Sequence, residues 1–400
     1  MPDSIELFAG GGGMALGLHL AGFEHRQLVE WDGQACETLR LNSRRDDPLH
    51  GRPPWKPDAV VGGDVREWAA ALDSRTVDLV AGGPPCQPFS LGGIHAGYSD
   101  PRNMFPAALD VVRATAPKLV IFENVPGLLR SGFLPYFDYV AAQLGAPSVL
   151  PSASETWQQH RDRVLRNAHR SELRYRVDRQ VILSADLGVP QSRRRVFLIG
   201  IREDLNAGWE PLPADYTEDA LLHDQYVSGT YWEEHQDDPE AHKLLRAGLP
   251  AAPARLASRV ARLRLEGRPV EKRWRTVRDM LREPERLPEP VDGRQRGRWP
   301  NHIGVPGARA YVGHTGSDID LPAKTIKAGV HGVCGGEAMI RFRDGRLRYL
   351  TTREAARVQG FPDWYEFTGA RSLAMRHIGN AVAVRVAQAV GEQLRRLTGV

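Results

Sequence analysis

Cys86 is the strongest candidate nucleophile in this chain. It lies in the run Gly82-Gly83-Pro84-Pro85-Cys86-Gln87-Pro88-Phe89-Ser90, where each proline fixes a φ angle and removes an N–H donor. A thiol shown from a stiff loop just past the apolar run 77–81 is poorly placed for a core and well placed to attack an electrophile. A structural turn is the plainer reading. Glu123, in Glu123-Asn124-Val125-Pro126, follows the apolar run 119–122 in the same way. A Cys and a Glu on one sheet edge suit covalent attack on a conjugated ring, with the acid protonating or hydrogen-bonding a ring nitrogen. A helix N-terminal cap ahead of Pro126 is the other reading of Glu123. Arg193 and Arg195, in Gln191-Ser192-Arg193-Arg194-Arg195, share one face by strand alternation. Two arginines aimed at that edge can bind a carbonyl oxygen and lock the Glu; a solvated surface run is the ordinary alternative.

A second constellation begins at Phe8-Ala9-Gly10-Gly11-Gly12-Gly13. Glycines there permit a tight turn and close approach of a ligand to the backbone, and the helix beyond favours a polar or anionic group at its N-terminus. Glu30, at the end of the next strand, is where an acid accepts hydrogen bonds from a ribose diol. Trp31 can stack on an adenine, and Asp64, after Gly62-Gly63, can accept an adenine N6–H. The set fits an adenosine-bearing ligand. A nicotinamide-dependent enzyme is the competing reading, but no hydride-transfer acid/base pair accompanies the loop.

Positioning these groups takes alternating strands and helices. Strands are expected at 5–9, 25–30, 77–81 and 119–122, and helices at 14–21, 34–42 and 105–116. A closing pair of strands is expected at 175–183 and 196–201. This alternation predicts an α/β fold, a doubly wound Rossmann-like sheet with helices on both faces. Helical pattern returns at 352–359 and 381–397, and 152–173 reads as an inserted surface helix. The composition, 42% hydrophobic and 26% charged, is that of a globular protein. No apolar run nears the roughly 20 residues of a membrane helix, and the N-terminus lacks a signal-peptide pattern. Cys36, Cys86 and Cys334 make neither a disulfide framework nor a zinc spacing. A cytoplasmic protein without a metal is expected. Net charge is only +4, yet residues 255–298 hold 14 Lys+Arg against 7 Asp+Glu. That stretch is either a phosphate- and base-contacting surface or a solvated face.

Taken together the motifs resemble those of the DNA cytosine-5 methyltransferase family. The resemblance rests on Glu6-Leu7-Phe8-Ala9-Gly10-Gly11-Gly12-Gly13, Pro84-Pro85-Cys86-Gln87, Glu123-Asn124-Val125, Gln191-x-Arg193-x-Arg195, Arg353-Glu354-Ala355 through Gln359-Gly360-Phe361-Pro362, and Gly379-Asn380-Ala381-Val382. It implies S-adenosylmethionine as methyl donor, held by Phe8, Ala9, Gly10, Gly12, Gly13, Glu30, Trp31, Asp64, Val65, Pro85, Asn380 and Val382. It implies Cys86 adding to cytosine C6, Glu123 meeting N3 and the exocyclic amine, and Arg195, with Arg193 beside it, holding the cytosine O2. Residues 321–327 resemble the family's Pro-x-x-Thr-Ile strand. Ala383 and Lys324 depart from the pattern, each standing where Pro is common.

On that resemblance, residues 1–201 form the donor-binding catalytic domain. Residues 202–350 form a smaller, irregular target-recognition domain, and 351–400 are helices returning to the first. Carbons C5 and C6 are out of reach inside a stacked duplex, so the target nucleotide must be flipped out, at a cost of a few kcal/mol. Residues 90–103 are the natural mobile loop to close over it. The implied partners are double-stranded DNA, on which the chain acts as a monomer, and a companion restriction endonuclease. A tRNA cytosine-5 methyltransferase and a catalytically inactive DNA-binding homologue are the alternatives.

Overall fold

Strand β1 (Asp3–Leu7) is buried along almost its whole length and is an inner strand, third of seven, in the central sheet. The computed structural model describes residues 1–48, 50–72, 76–85, 103–152, 154–295, 297–312, 314–328 and 338–400. Cys86, Cys334 and all but the last residue of the expected loop 90–103 lie outside the described residues. After β1 come α1 (Gly13–Leu20), β2 (Glu24–Glu30), α2 (Gly33–Asn42), β3 (Val60–Gly62), α3 (Val65–Ala70) and β4 (Leu79–Gly82). Next are α4 (Phe105–Thr115), β5 (Leu119–Asn124), α5 (Leu134–Gly145), α6 (Trp157–Asn167), β6 (Tyr175–Leu183), β7 (Gln191–Ser192) and β8 (Arg194–Arg202). The sheet order is β3-β2-β1-β4-β5-β8-β6. Strands β3, β2, β1, β4 and β5 pair in parallel, and β8 pairs antiparallel to β5. The expected α/β sheet is therefore present.

Parallel strands covered on both faces read as continuous apolar runs, and β4 and β5 do. Val80, Val120 and Phe122 pack with Leu109 and Val112 of α4 and with Phe137, Val140 and Leu144 of α5 in one core. Burying each such side chain contributes about 1.5–3 kcal/mol. Within 152–173, α6 begins at a capping box between Thr156 and Gln159, and it buries only His160 and Val164. Among the described residues no helix is long and apolar enough to cross a membrane.

Two compact units divide the chain. One comprises residues 1–182, 194–212 and 364–400; the other comprises 183–193 and 213–363. None of the four cuts falls at 201/202 or 350/351. The second unit is built from short pieces: α7 (Glu218–His223), α8 (Thr230–Glu234), α9 (Pro239–Ala247), α10 (Ala257–Glu266), α11 (Val277–Arg282), α12 (Thr352–Val358) and strands of two or three residues. The first unit closes with α13 (Arg371–Asn380) and α14 (Val384–Thr398).

Two expectations are corrected here. Strand β5 runs on through Asn124, because β8 carries the ladder to the pairs Glu123↔Phe197 and Asn124↔Val196; Glu123 is therefore in the strand, not after it. The helix expected over 381–397 starts only at Val384, since Ala381 and Ala383 are extended, with ψ of 145° and 128°. Beyond the break α14 lies directly on α1: a Cβ on Gly17 of α1 would stand 2.4 Å from the Val384 carbonyl oxygen. Helix α5 has no counterpart among the expected elements, and α13 falls within the expected C-terminal helices of 351–400 without a range of its own.

Candidate active site

Each side chain of interest in the first unit stands at the carboxyl edge of the sheet, where open α/β folds bind ligands. Beyond β1, Phe8 takes a positive φ of 57° and the chain turns through Gly10 and Gly12 into α1. Gly12 is the N-cap of α1, with φ 83°. A Cβ there would stand 2.4 Å from the Tyr365 hydroxyl and 2.9 Å from Leu39 Cδ2, so no larger residue fits. The Tyr365 hydroxyl donates to the Gly11 carbonyl at 2.8 Å and braces the loop from behind. Ala9 and Gly13 are buried in the same turn.

Glu30 ends β2. Its Oε2 accepts the Gly10 N–H at 2.7 Å and its Oε1 the Asp32 N–H at 2.8 Å. Burial pushes the Glu30 carboxyl up, and those two amides oppose it. The glycine loop and the acid expected to work together are thus hydrogen-bonded to each other. Trp31 beside them is 73% exposed, leaving its ring face open to a planar partner. Asp64 caps α3 through the Arg66 N–H at 2.8 Å and takes the Arg66 guanidinium on both oxygens. Those bonds hold its carboxyl below the usual range. Val65 is buried, and Pro85 is exposed. Asn380 ends α13 with its side chain exposed, and Val382 is buried in the extended link to α14.

Glu123 is 6% exposed, and its Oε1 lies 2.8 Å from Arg195 Nε. Arg195, at the start of the antiparallel strand β8, reaches the carboxyl edge because that strand runs the other way. Its Nη1 also donates to the Arg194 carbonyl at 2.7 Å. One residue on, Asn124 Nδ2 donates to the Pro84 carbonyl at 2.9 Å and ties the end of β5 to the Pro-Pro turn. The Pro85 carbonyl in turn accepts the Met104 N–H at 3.4 Å. Cys86 itself lies outside the described residues.

Arg193 belongs to the other unit. It is 1% exposed and donates from Nη1 to the Ile326 carbonyl at 3.1 Å. Gln191 is as deeply buried: its Oε1 accepts the Ile326 N–H at 3.1 Å and its Nε2 donates to Gln359 Oε1 at 2.9 Å. Gln191 and Arg193 hold the Ile326 backbone, and Arg195 holds Glu123.

The arginines of 255–298 are largely committed within their own unit. Arg259, Arg262, Arg268, Arg273, Arg275, Arg278, Arg282, Arg286 and Arg298 all pair with acids of that unit, among them the patch Glu234, Asp237 and Asp238. Their excess is chiefly framework, which narrows the reading of this stretch as a free cationic face. Sequence reasoning also passed over Asn124, Tyr365 and Asp32. Asp32 caps α2, takes Arg376 in an ion pair, and lies 3.5 Å from His377 Nε2. Of these, Asn124 carried a signal, being the middle residue of the Glu-Asn-Val motif.

Comparison with known proteins bears on this geometry. A family model described as C-5 cytosine-specific DNA methylase matches residues 3–173 and 158–396. Type II methyltransferase M.NgoMIV of Neisseria gonorrhoeae is 30% identical over 98% of this chain and 96% of its own length. Type II methyltransferase M.Eco47II of Escherichia coli is also 30% identical, over 98% of this chain and 78% of its own. Among solved structures, the S. pombe Dnmt2 methyltransferase superposes with a TM-score of 0.56 at 18% identity, covering 99% of both chains, a likeness of fold alone.

Proposed function

Because the chain belongs to the C-5 cytosine-specific DNA methylase family, we propose that it methylates C5 of a flipped-out cytosine in a specific duplex sequence, with S-adenosylmethionine as donor and Cys86 as covalent catalyst. Glu30 beside the exposed Trp31 fits a ribose diol and an adenine. Phe8, Ala9, Gly10, Gly12, Gly13, Asp64, Val65, Pro85, Asn380 and Val382 complete the set that would hold the donor. When bound, S-adenosylmethionine supplies an electrophilic methyl group.

The Cys86 thiolate adds to C6 while Glu123 delivers a proton to N3 and accepts from the exocyclic amine, placing electron density on C5. Transfer of the methyl group to C5 would leave S-adenosylhomocysteine; a base then removes the C5 proton, the C5–C6 double bond returns as the sulfur leaves as thiolate, and the N3 proton goes back to Glu123. Arg195 orients Glu123 and binds the cytosine O2. Arg193 is a positioning residue acting through Ile326. Residues 202–350 read the target. The names of the type II relatives support a restriction-modification setting with a companion endonuclease.

The observation that carries this reading is the buried Glu123–Arg195 pair at 2.8 Å, one residue from the Asn124 bond that fixes Pro84 two positions before Cys86. Bisulfite sequencing of DNA from expressing cells gives the target sequence. A duplex carrying 5-fluorocytosine at that site, mixed with the protein and donor, should then form a covalent adduct stable to denaturant. Cys86→Ser should form none while still binding DNA. If the wild-type chain turns over cytosine duplex yet never traps on the fluorinated one, the covalent route is wrong. Methyl transfer to tRNA but not to duplex would make it the tRNA enzyme instead.

A further inference from the structure

At the opposite, amino edge of the same sheet, three side chains distant in sequence come together. His19 is in the last turn of α1, and Asp47 and His50 are in the turn after α2. Their ligand-type atoms all lie within 4.8 Å of one another, the one such group of three among the described residues. Asp47 and His19 are each 1% exposed. The turn is built to point them inward: Asp47 N–H donates to the Arg52 carbonyl at 2.9 Å, and the Asp47 carbonyl accepts from His50 and Gly51 N–H at 3.1 and 2.8 Å. His50 Nδ1 stands 2.5 Å from Asp47 Oδ2, and the two imidazoles meet edge to face with centroids 5.0 Å apart.

His19 Nε2 is what a hydrogen-bond network leaves unexplained. It is buried, faces Asp47 Oδ2 at 3.5 Å, and has no hydrogen-bond partner. Buried polar atoms are nearly always satisfied. A separation of 3.5 Å is long for a hydrogen bond. It is close to the roughly 3.3 Å between two ligand atoms of a tetrahedral zinc ion with bonds of about 2.0–2.1 Å; the His50–Asp47 pair, hydrogen-bonded at 2.5 Å, is shorter than that and would have to open by under about 1 Å as the ion replaces the shared proton. We propose that His19 Nε2, Asp47 Oδ2 and His50 Nδ1 bind a divalent cation of the zinc class, with water in the fourth position. Two imidazoles and a carboxylate form a donor set that suits zinc over magnesium or calcium. The half-exposed His50 gives the ion a way in. The absence of a cysteine zinc spacing does not bear on this site, which uses no cysteine. The site is structural: it clamps the end of α1 to the 43–55 segment, on the far side of the sheet from Glu30 and Glu123.

The test uses the full chain, stripped with chelator and titrated with zinc chloride by calorimetry, with thermal melts run in parallel. One zinc should bind per chain and raise the melting temperature in proportion to the logarithm of its concentration. His50→Ala, which removes a partly exposed ligand, should weaken zinc binding at least about tenfold and abolish the thermal shift, while its zinc-free melt stays within a few degrees of wild type. His19→Gln, which keeps the volume of the buried side chain, should do the same. Absence of stoichiometric zinc binding by the wild-type chain overturns the proposal. So does binding that His50→Ala and His19→Gln leave unchanged, which would place the ion elsewhere.

Discussion

In the sheet-bearing unit the largest fully buried side chains are Tyr365, Phe23, Phe105, Phe122, Phe137 and Phe197; in the other unit they include Arg193, Arg278 and Arg353 beside Trp232 and Tyr231. The first core is apolar, strand against helix. The second is wired. Asp320 Oδ1 accepts from Arg278 Nε at 2.7 Å and from the Tyr231 hydroxyl at 2.9 Å, and its Oδ2 accepts from Arg343 Nε at 2.7 Å. Asp279 takes both Nη atoms of Arg273, the Thr276 N–H, and His235 Nε2 at 3.0 Å. The Arg343 guanidinium lies 4.6 Å over the Trp232 ring. Hydrophobic packing tolerates exchange of one apolar residue for another of similar volume. A buried charge network does not, because each partner lost strands another in a medium that cannot solvate it.

The contrast is sharpest for Asp320→Ala. Removing the acceptor shared by Arg278, Tyr231 and Arg343 should destabilise residues 213–363 by about 3–5 kcal/mol, read by hydrogen exchange resolved to peptides. A loss below about 1 kcal/mol would mean the network is ornamental and the comparison fails. Leu109→Ala, in the apolar core of the other unit, should cost about 3 kcal/mol and, unlike Asp320→Ala, respond little to added salt.

Acid should separate the units by sign. Burial tends to raise the Asp279 carboxyl, but His235 and Arg273 outweigh it and hold the folded value below the roughly 3.9 of an unfolded Asp. The stability it confers is complete above that value and is lost as pH falls through the folded one. Glu6, on β1, is pushed the other way by burial. Its contribution is favourable below the unfolded value of about 4.3 and declines as pH rises toward the folded one. Acidification should therefore expose residues 213–363 to exchange before β1 and β2; the reverse order would contradict the assignment. The smallest effect is expected for Glu210→Gln. Arg396 Nη2 and Glu210 Oε2 are 2.7 Å apart, the same distance as Arg278 Nε and Asp320 Oδ1, but both side chains are mostly in water. The change should stay within about 1 kcal/mol. A larger cost would show that distance rather than burial sets the strength of these pairs.

The same contrast explains what could be read from the sequence. Strands β1, β2, β4 and β5 announce themselves as apolar runs between turn residues, and Glu30 and Glu123 are legible because an acid closing an apolar run is a local pattern. The second unit has no such pattern: the partner of Arg278 is 42 residues away and that of Arg268 is 44 residues away, and composition alone cannot distinguish an arginine facing phosphate from one facing Asp320. The bond from Arg193 to the Ile326 carbonyl was invisible for the same reason. The break between α13 and α14 went unseen because Ala383 replaces the proline that would have marked it. The His19–Asp47–His50 cluster joins residues with no shared motif.

The brace behind the glycine loop has an implication for how the protein is made. Tyr365, whose hydroxyl meets the Gly11 carbonyl, and Val384, which crowds Gly17, both follow the whole of the 213–363 insertion in the chain. Domains tend to fold as they leave the ribosome, so the glycine loop must wait without this brace while an entire second unit is synthesised. A nascent chain halted before residue 364 would carry every strand of the central sheet and still lack the wall behind that loop. Whatever the loop grips is gripped last.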